Sequence, residues 1–201
     1  RKLFNSKFIQ SCANLFIRFA EGRILPKISC VIAADYERGK VMEGWYKLNK
    51  VEIIRNVPLY QECTKLRLVH EKLSLDYNMK TILYQGILDK GRGLEVSIIA
   101  ASKVQNKSFA LVFLGVIDIN YKNTLIKIAD DNNFNHLYFI DAVPWQDLLN
   151  WTSSADTSLV LIENVSLSYY LAAPNKLYES IMAEVPYIAS NFPEIQRVHK
   201  I

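Results

Sequence analysis

From residue 78 onward, short apolar runs alternate with longer stretches of helical pattern. The apolar runs predict buried strands at Lys80–Gln85, Phe109–Leu114, Leu137–Ile140, Thr157–Ile162 and Val185–Ala189. The stretches between them predict helices over Gly91–Val104, Asn123–Asp131, Pro144–Thr152 and Asn175–Ala183. Strands that alternate with helices are typical of parallel strands joined by right-handed crossovers. The pattern therefore predicts an α/β fold with a Rossmann-like, doubly wound parallel sheet.

The first 57 residues show a weaker form of the same pattern. Apolar positions 4, 8, 9, 12, 15, 16 and 19 predict an amphipathic helix from Phe4 to Ala20 that ends at Gly22. A strand at Ser29–Ala34, a helix from about Tyr36 to Lys47 and a strand at Val51–Ile54 are predicted next. The first helix suits packing on a neighbouring sheet, which we favour, or attachment to a membrane surface.

Composition limits the classes of protein to consider. The 201 residues are 50% hydrophobic and 22% charged, enough for one large α/β domain or for one domain and part of another. The net charge of +4 suits an anionic ligand or an anionic membrane surface. Basic residues are dispersed, so we do not expect a nucleic-acid partner.

The cysteines and the start of the chain give two further expectations. Cys12, Cys30 and Cys63 lie far apart and without the spacing of a metal site, so we expect reduced thiols in a cytoplasmic protein. The chain begins at Arg1 rather than at Met. We therefore expect a fragment, truncated also at its C-terminus.

The segment from Asp156 to Pro193 predicts a strand, a loop, a helix and a second strand. Pro174 occupies the expected first turn of that helix, where proline is tolerated. Free N–H groups and the positive end of the helix dipole favour an anion there, and Lys176 adds a charge. Glu179 lies one turn further on, where it can accept hydrogen bonds from a sugar hydroxyl. The segment therefore predicts an anion site beside a sugar at the carboxyl end of the sheet.

Three segments also resemble glycosyltransferase family 4, the group 1 type. They are Y-Q-G-I-L-D-K-G-R-G-L-E, then F-I-D-A-V-P-W-Q-D-L-L-N-W-T-S-S-A-D, and finally P-N-K-L-Y-E followed by A-E-V-P-Y-I-A-S. The order of the segments is that of the family. The resemblance implies the GT-B architecture, with the C-terminal nucleotide-sugar domain in residues 58–201. It implies that residues 1–57 are the trailing part of the N-terminal, acceptor-side domain.

The resemblance also implies roles for particular residues. Arg92, assisted by Lys90, would neutralise the donor diphosphate, and Glu179 would hold the ribose, so these three are the expected catalytic residues. The other expected donor-binding residues are Gly86, Gly93, Val143, Pro144, Asn175, Lys176 and Leu177. No metal and no cofactor apart from the nucleotide-sugar substrate are expected.

The implied activity is that of a retaining hexosyltransferase that uses a nucleotide-diphosphate sugar. Its acceptor would be a saccharide or a lipid-linked molecule, in the synthesis of a glycan or a cell-surface polysaccharide. The missing N-terminal domain would bind the acceptor and could contact the inner face of the membrane peripherally. We expect the fragment alone to be inactive.

Three positions depart from the family pattern. Ile87 stands in place of a basic residue, Leu171 in place of an upstream glutamate, and Glu184 in place of a glycine. Ile87 and Leu171 also suit an alternative, a non-catalytic glycosyltransferase-like subunit with a regulatory or assembly role. A sugar-nucleotide epimerase of the same architecture would need acidic and histidine residues that converge on the cleft, and the pattern shows none.

Overall fold

The computed structural model describes residues 6–105 and 108–200, without the side chains of residues 6–14. The chain divides into two compact units, Arg1–Asn56 and Val57–Ile201. That the first unit is part of an acceptor-side domain stays a prediction.

The first unit contains one βαβ arrangement. Strands β1 (Ile32–Ala33) and β2 (Glu52–Ile53) pair in parallel and are joined by helix α2 (Tyr36–Tyr46). Helix α1 (Ser6–Ile24) precedes them and continues through Gly22, so the predicted end at this glycine is wrong. A short 3₁₀ helix with proline in its first turn follows directly. Proline disfavours an α conformation in the residue before it, which explains the later end. Phe4, the predicted start, lies outside the described residues.

The second unit is built on a five-stranded parallel sheet, which confirms the predicted fold class. Its strands are β3 (Lys80–Gln85), β4 (Phe109–Leu114), β5 (Leu137–Ile140), β6 (Thr157–Val160) and β7 (Tyr187–Ala189). Their order across the sheet is β5-β4-β3-β6-β7. The first three strands have the predicted bounds, whereas β6 and β7 are shorter than predicted.

Helices connect and cover these strands. They are α3 (Leu68–Leu73), α4 (Leu94–Ser102), α5 (Ile119–Asp131), α6 (Leu148–Ser153), α7 (Leu167–Tyr170), α8 (Asn175–Met182) and α9 (Pro193–His199). Helix α5 begins earlier than predicted because the Asp118 side chain accepts hydrogen bonds from the first free N–H groups. Helix α6 begins at Leu148 rather than at Pro144, and α7 and α9 were not predicted. Among the described residues, no helix is both long and apolar enough to cross a bilayer.

Strand β4 shows why the sheet is rigid. All six of its residues are buried. Phe109, Leu111 and Phe113 pack into one hydrophobic cluster, and the residues between them pack into another. Successive side chains of a strand point to opposite faces of the sheet, so β4 is covered on both faces. The carboxyl ends of the strands are therefore held in fixed positions.

Helix α8 ends in a left-handed residue. Glu184 has φ 54°, its N–H donates to the Ile181 carbonyl, and the Val185 N–H donates to the Ser180 carbonyl. This pair of bonds is the Schellman motif, in which glycine is usual because other residues strain their Cβ in that conformation. The backbone thus explains the glycine in the family pattern, and the glutamate here keeps the conformation at a cost.

We expect Glu184→Gly to stabilise the second unit. Relief of the left-handed strain outweighs the added freedom of the unfolded chain, and the gain in the free energy of unfolding is about 0.5–1 kcal/mol. The ion pair from Glu184 to Lys65 is exposed on both sides and offsets little of this gain. Urea unfolding measures the change. Glu184→Ala is the control, since it removes the same carboxylate but keeps the strain; equal effects of both variants would contradict the explanation.

Candidate functional site

The strand order creates a crevice at one edge of the sheet. The chain leaves β3 for β4 on one side and returns later to β6 on the other side. Loops after β3 and β6 therefore diverge, and ligands of doubly wound sheets bind at such a switch point, beyond the carboxyl ends of the strands. The turns around Gly86, Pro144 and Pro174 follow β3, β5 and β6 respectively. All three lie at this same edge.

The loop after β3 is pressed tightly against its neighbours. Gly115, which follows β4, has no room for a side chain, because a Cβ there would lie 1.8 Å from the Gly86 carbonyl oxygen. Gly93 is the left-handed N-cap of α4, and a Cβ there would lie 2.8 Å from that of Leu161, just after β6. The Glu163 N–H also donates to the Gly91 carbonyl at 2.9 Å. The contacts of Gly91 and Gly93 join the loops after β3 and β6, which flank the crevice.

Arg92 projects from the joined loops and is half-buried. Its guanidinium carbon lies 4.7 Å from the centroid of the Tyr169 ring, and its Nε atom is buried without a hydrogen-bond partner. Lys90, in contrast, is exposed on the turn before it, and among the described contacts none joins it to Arg92 or Lys176. Of the two predicted basic residues, Arg92 is thus the one that the fold holds in place.

Lys176 lies in the first turn of α8 and is only 8% exposed. Its Nζ lies 3.4 Å from the centroid of the Tyr84 ring. Burial lowers the pKa of Lys176 well below its usual value, and the nearby Arg92 charge lowers it further, whereas Glu179 opposes the change. Burial likewise raises the pKa of Tyr84. Among the described residues, neither Arg92 nor Lys176 forms an ion pair with a carboxylate, so an anion would be favoured beside these two neighbouring basic groups.

Glu179 lies on the next turn of α8 and is half-buried. Gln85 Nε2 donates to Glu179 Oε2 at 2.6 Å. Burial raises the pKa of the Glu179 carboxyl, while the Gln85 hydrogen bond and Lys176 hold it down. The carboxylate borders a hollow of about 270 Å³ whose other lining residues are Pro58, Leu59, Gln61, Trp145, Leu148, Leu149, Asn175 and Met182. Glu179 is therefore neither sealed in the core nor turned away from a cavity.

The remaining predicted residues occupy several kinds of position. Asn175 is exposed, begins α8 and lines the hollow; Pro174 is the residue that caps the helix, not one within its first turn as predicted. Pro144 is exposed in the loop after β5, and Val143 packs partly into the core. Leu177 is 0% exposed and packs against the sheet. Its side chain therefore anchors α8 and does not face the crevice.

Sequence reasoning missed three residues of this cluster, namely Tyr84, Gln85 and Tyr169. Gln85 carried a signal, since it is a polar residue at the end of an otherwise apolar strand and is 1% exposed. The contacts of Tyr84 and Tyr169 join distant parts of the chain and leave no local pattern. Among the described residues, no group of His, Cys, Asp and Glu could hold a metal ion.

A family model matches this edge of the sheet and most of the unit around it. The model described as "Glycosyl transferases group 1" covers residues 67–200, which is more than half of the chain. The chain therefore belongs to the group 1 glycosyltransferase family. Comparison with curated protein sequences finds no match.

Solved structures share the fold at low sequence identity. A glycosyltransferase from Rickettsia africae ESF-5 has a TM-score of 0.67 and 17% identity, over 88% of this chain and 48% of that one. Sucrose-phosphate synthase from Thermosynechococcus elongatus has a TM-score of 0.68 and 18% identity, over 90% of this chain and 45% of that one. Anabaena Alr3699/HepE, solved in complex with UDP-glucose, has a TM-score of 0.69 and 13% identity, over 89% of this chain and 50% of that one. The chain thus spans about half the length of these proteins.

We expect Lys176→Met to make the protein more stable at pH 7. Because burial lowers the pKa of Lys176 in the folded state, the unfolded chain binds more protons below the ordinary lysine pKa, and the free energy of unfolding rises with pH. A methionine of similar length avoids the buried amine, which raises the free energy of unfolding at pH 7 by about 1–2 kcal/mol.

Urea unfolding of both proteins at pH 7 and pH 9 tests this expectation. The gain from Lys176→Met should be smaller at pH 9 than at pH 7. Lys103→Met, which replaces an exposed lysine, is the control and should change little at either pH. An equal gain at both pH values would contradict a lowered pKa of Lys176 in the folded state.

Proposed function

We propose that the second unit is the donor-binding domain of a glycosyltransferase that uses a nucleotide-diphosphate sugar. The observation that carries the proposal is that two basic residues, Arg92 and Lys176, lie near each other and near Glu179 at the switch point of the sheet. Within the part of the chain that the structure describes, neither forms an ion pair with a carboxylate. Membership of the group 1 glycosyltransferase family supports the same assignment.

The diphosphate would lie between Arg92 and the first turn of α8. A guanidinium can bridge two phosphate oxygens, and the Nε of Arg92 lacks a partner that such an oxygen would supply. An anion that arrives there would raise the pKa of Lys176 again, because the added negative charge offsets the burial that lowers it. The free N–H groups at the start of α8 add to this attraction.

The nucleoside would occupy the hollow next to the diphosphate. The ribose hydroxyls would donate to the Glu179 carboxylate, which borders the hollow. Trp145, which is 68% exposed, and Leu148 offer an aromatic and an apolar surface for the flat faces of the base. The Anabaena protein of the same fold was solved with UDP-glucose, and we take uridine as the first base to test.

In the proposed reaction, the bond between the anomeric carbon and the diphosphate oxygen breaks, and the electron pair leaves with the diphosphate. An acceptor hydroxyl oxygen bonds to that carbon and loses its proton, which the departing diphosphate oxygen would accept. Arg92 and Lys176 would stabilise the charge that develops on the leaving group, a contribution of about 2.7–4 kcal/mol for one such contact. We extend the proposal to a hexose donor and to retention of configuration, and to an acceptor, saccharide or lipid-linked, that the rest of the protein binds.

A non-catalytic role is the less favoured alternative. Leu171 is buried and Ile87 is 64% exposed. Both side chains are apolar, so neither supplies the charge that the family pattern has at its position. The cation pair and Glu179 are nevertheless assembled at the crevice, which a purely structural subunit would not need. Turnover of a panel of donors by the whole protein separates the two roles, since a non-catalytic subunit would release no sugar.

We expect Arg92→Ala and Glu179→Ala each to weaken the binding of UDP about 10- to 100-fold, because each removes hydrogen bonds to a charged group. Isothermal titration calorimetry at low salt measures the affinities. Lys103→Ala removes one positive charge far along α4 from the crevice and should leave the affinity unchanged. Equal affinities of the wild type and Glu179→Ala would overturn the ribose assignment.

We expect Trp145→Ala to weaken UDP binding about tenfold through the loss of stacking on the base. The affinity for inorganic pyrophosphate should stay at the wild-type value, because Trp145 would not contact the phosphates. The same calorimetric titrations measure both ligands. A parallel loss of pyrophosphate binding would show that Trp145 acts on the fold of the loop and not on the base.

A further inference from the structure

A chain of buried polar side chains reaches from the core of the sheet to Glu179. Gln85 ends β3 and is 1% exposed, and Thr152 of α6 is fully buried. Thr152 Oγ1 donates to Gln85 Oε1 at 2.6 Å, and Gln85 Nε2 donates to Glu179 Oε2 at 2.6 Å. Side chains from β3, α6 and α8 are thus connected by two short hydrogen bonds.

We propose that Gln85 is a positioning residue of the donor site: it fixes the Glu179 carboxylate at the edge of the hollow, and Thr152 fixes the direction of the Gln85 amide. The inference rests on the proposed function, in which Glu179 binds the donor ribose. It adds two residues that would act on the donor through Glu179 without touching it.

The direction of the network follows from the chemistry of its groups. An amide oxygen only accepts hydrogen bonds and an amide nitrogen only donates them. The Thr152 hydroxyl also lies 3.0 Å from the Leu148 carbonyl, but its single proton has the shorter path to Gln85 at 2.6 Å. With the Gln85 oxygen thus occupied, its NH₂ group faces Glu179 and requires an acceptor there. An ionised carboxylate fulfils that requirement, and its other oxygen stays available to a ligand.

The charges around Glu179 make this bond important. Burial raises the pKa of its carboxyl, and the Gln85 hydrogen bond is the larger of the two influences that hold it down. The other influence is Lys176, on the preceding turn of the same helix. The other residues that line the hollow, which come from α8 and from neighbouring elements, carry no titratable group. Loss of the Gln85 amide is therefore not compensated by a charge from another element.

The test replaces Gln85 by methionine, which has a similar length but cannot donate. We expect the pKa of Glu179, followed by carboxyl ¹³C NMR of the ligand-free chain, to rise in Gln85→Met. The acid limb of the pH profile of UDP binding should move upward with it, and the affinity at pH 7 should fall about tenfold. Thr152→Val should shift both profiles in the same direction by less, and Thr152→Ser should restore the wild-type behaviour.

Thr81→Val is the matched control. Thr81 lies near the opposite end of the same strand, is equally buried, and bonds to Asp156 instead of to the site. Loss of the Thr81 hydroxyl destabilises the sheet in a comparable way but should leave the pKa of Glu179 and the pH profile of UDP binding unchanged. A shift in Thr81→Val as large as that in Gln85→Met would show a general effect of stability and overturn the inference.

The outcomes separate this inference from the proposed function. An unchanged Glu179 pKa in Gln85→Met overturns the role of Gln85, whether or not the affinity for UDP changes. A raised pKa in a protein whose wild type binds no UDP supports the contact with Glu179 but overturns the donor site on which the inference rests. If Gln85→Met does not fold, the pKa of Glu179 and the pH profile of UDP binding are measured in Thr152→Val instead. Values equal to those of the wild type in Thr152→Val would overturn the inference.

Discussion

The site depends on two basic side chains, Arg92 and Lys176, that lie near each other and, among the described residues, form no ion pair with a carboxylate. Lys176 is held against the Tyr84 ring with Arg92 nearby, and burial disfavours the charged form of the amine. Burying two basic groups near each other in this way costs stability in the free protein. Under the proposed function this cost is offset when an anion enters the crevice, and membership of the family makes a diphosphate the anion that we propose.

The sheet makes this arrangement possible. A strand buried on both faces, such as β4, holds the loops at its carboxyl end in fixed positions. Gly93 then lets the loop after β3 approach the loop after β6, and Gly115 lets the loop after β4 approach Gly86. Arg92 lies between Gly91 and Gly93, so its position follows from the junction of the loops after β3 and β6. A side chain at Gly93 or Gly115 would push the loop away from the crevice.

Much of this fold could be predicted from the sequence, because apolar strand runs such as Phe109–Leu114 are a local signal. The starts of the helices could not be predicted as well. Asp118 accepts two N–H bonds and begins α5 early, a choice that depends on side-chain geometry. In the site, the positions on α8 that are proposed to bind the anion could be predicted from their place in its first turn, but the bond from Gln85 to Glu179 joins residues far apart in the chain. Only the folded sheet brings them together.

Helix α8 shows how a short helix can support such a site. Asn175, Glu179 and Met182 recur at the spacing of one helical face and line the hollow. Leu177 lies on another face and is buried against the sheet, while Lys176 turns toward Tyr84. Eight residues form too short a helix to be stable alone, so the packing of Leu177 and the Schellman turn must maintain it. The same contacts that stabilise the helix therefore set the distance between its cation and its carboxylate.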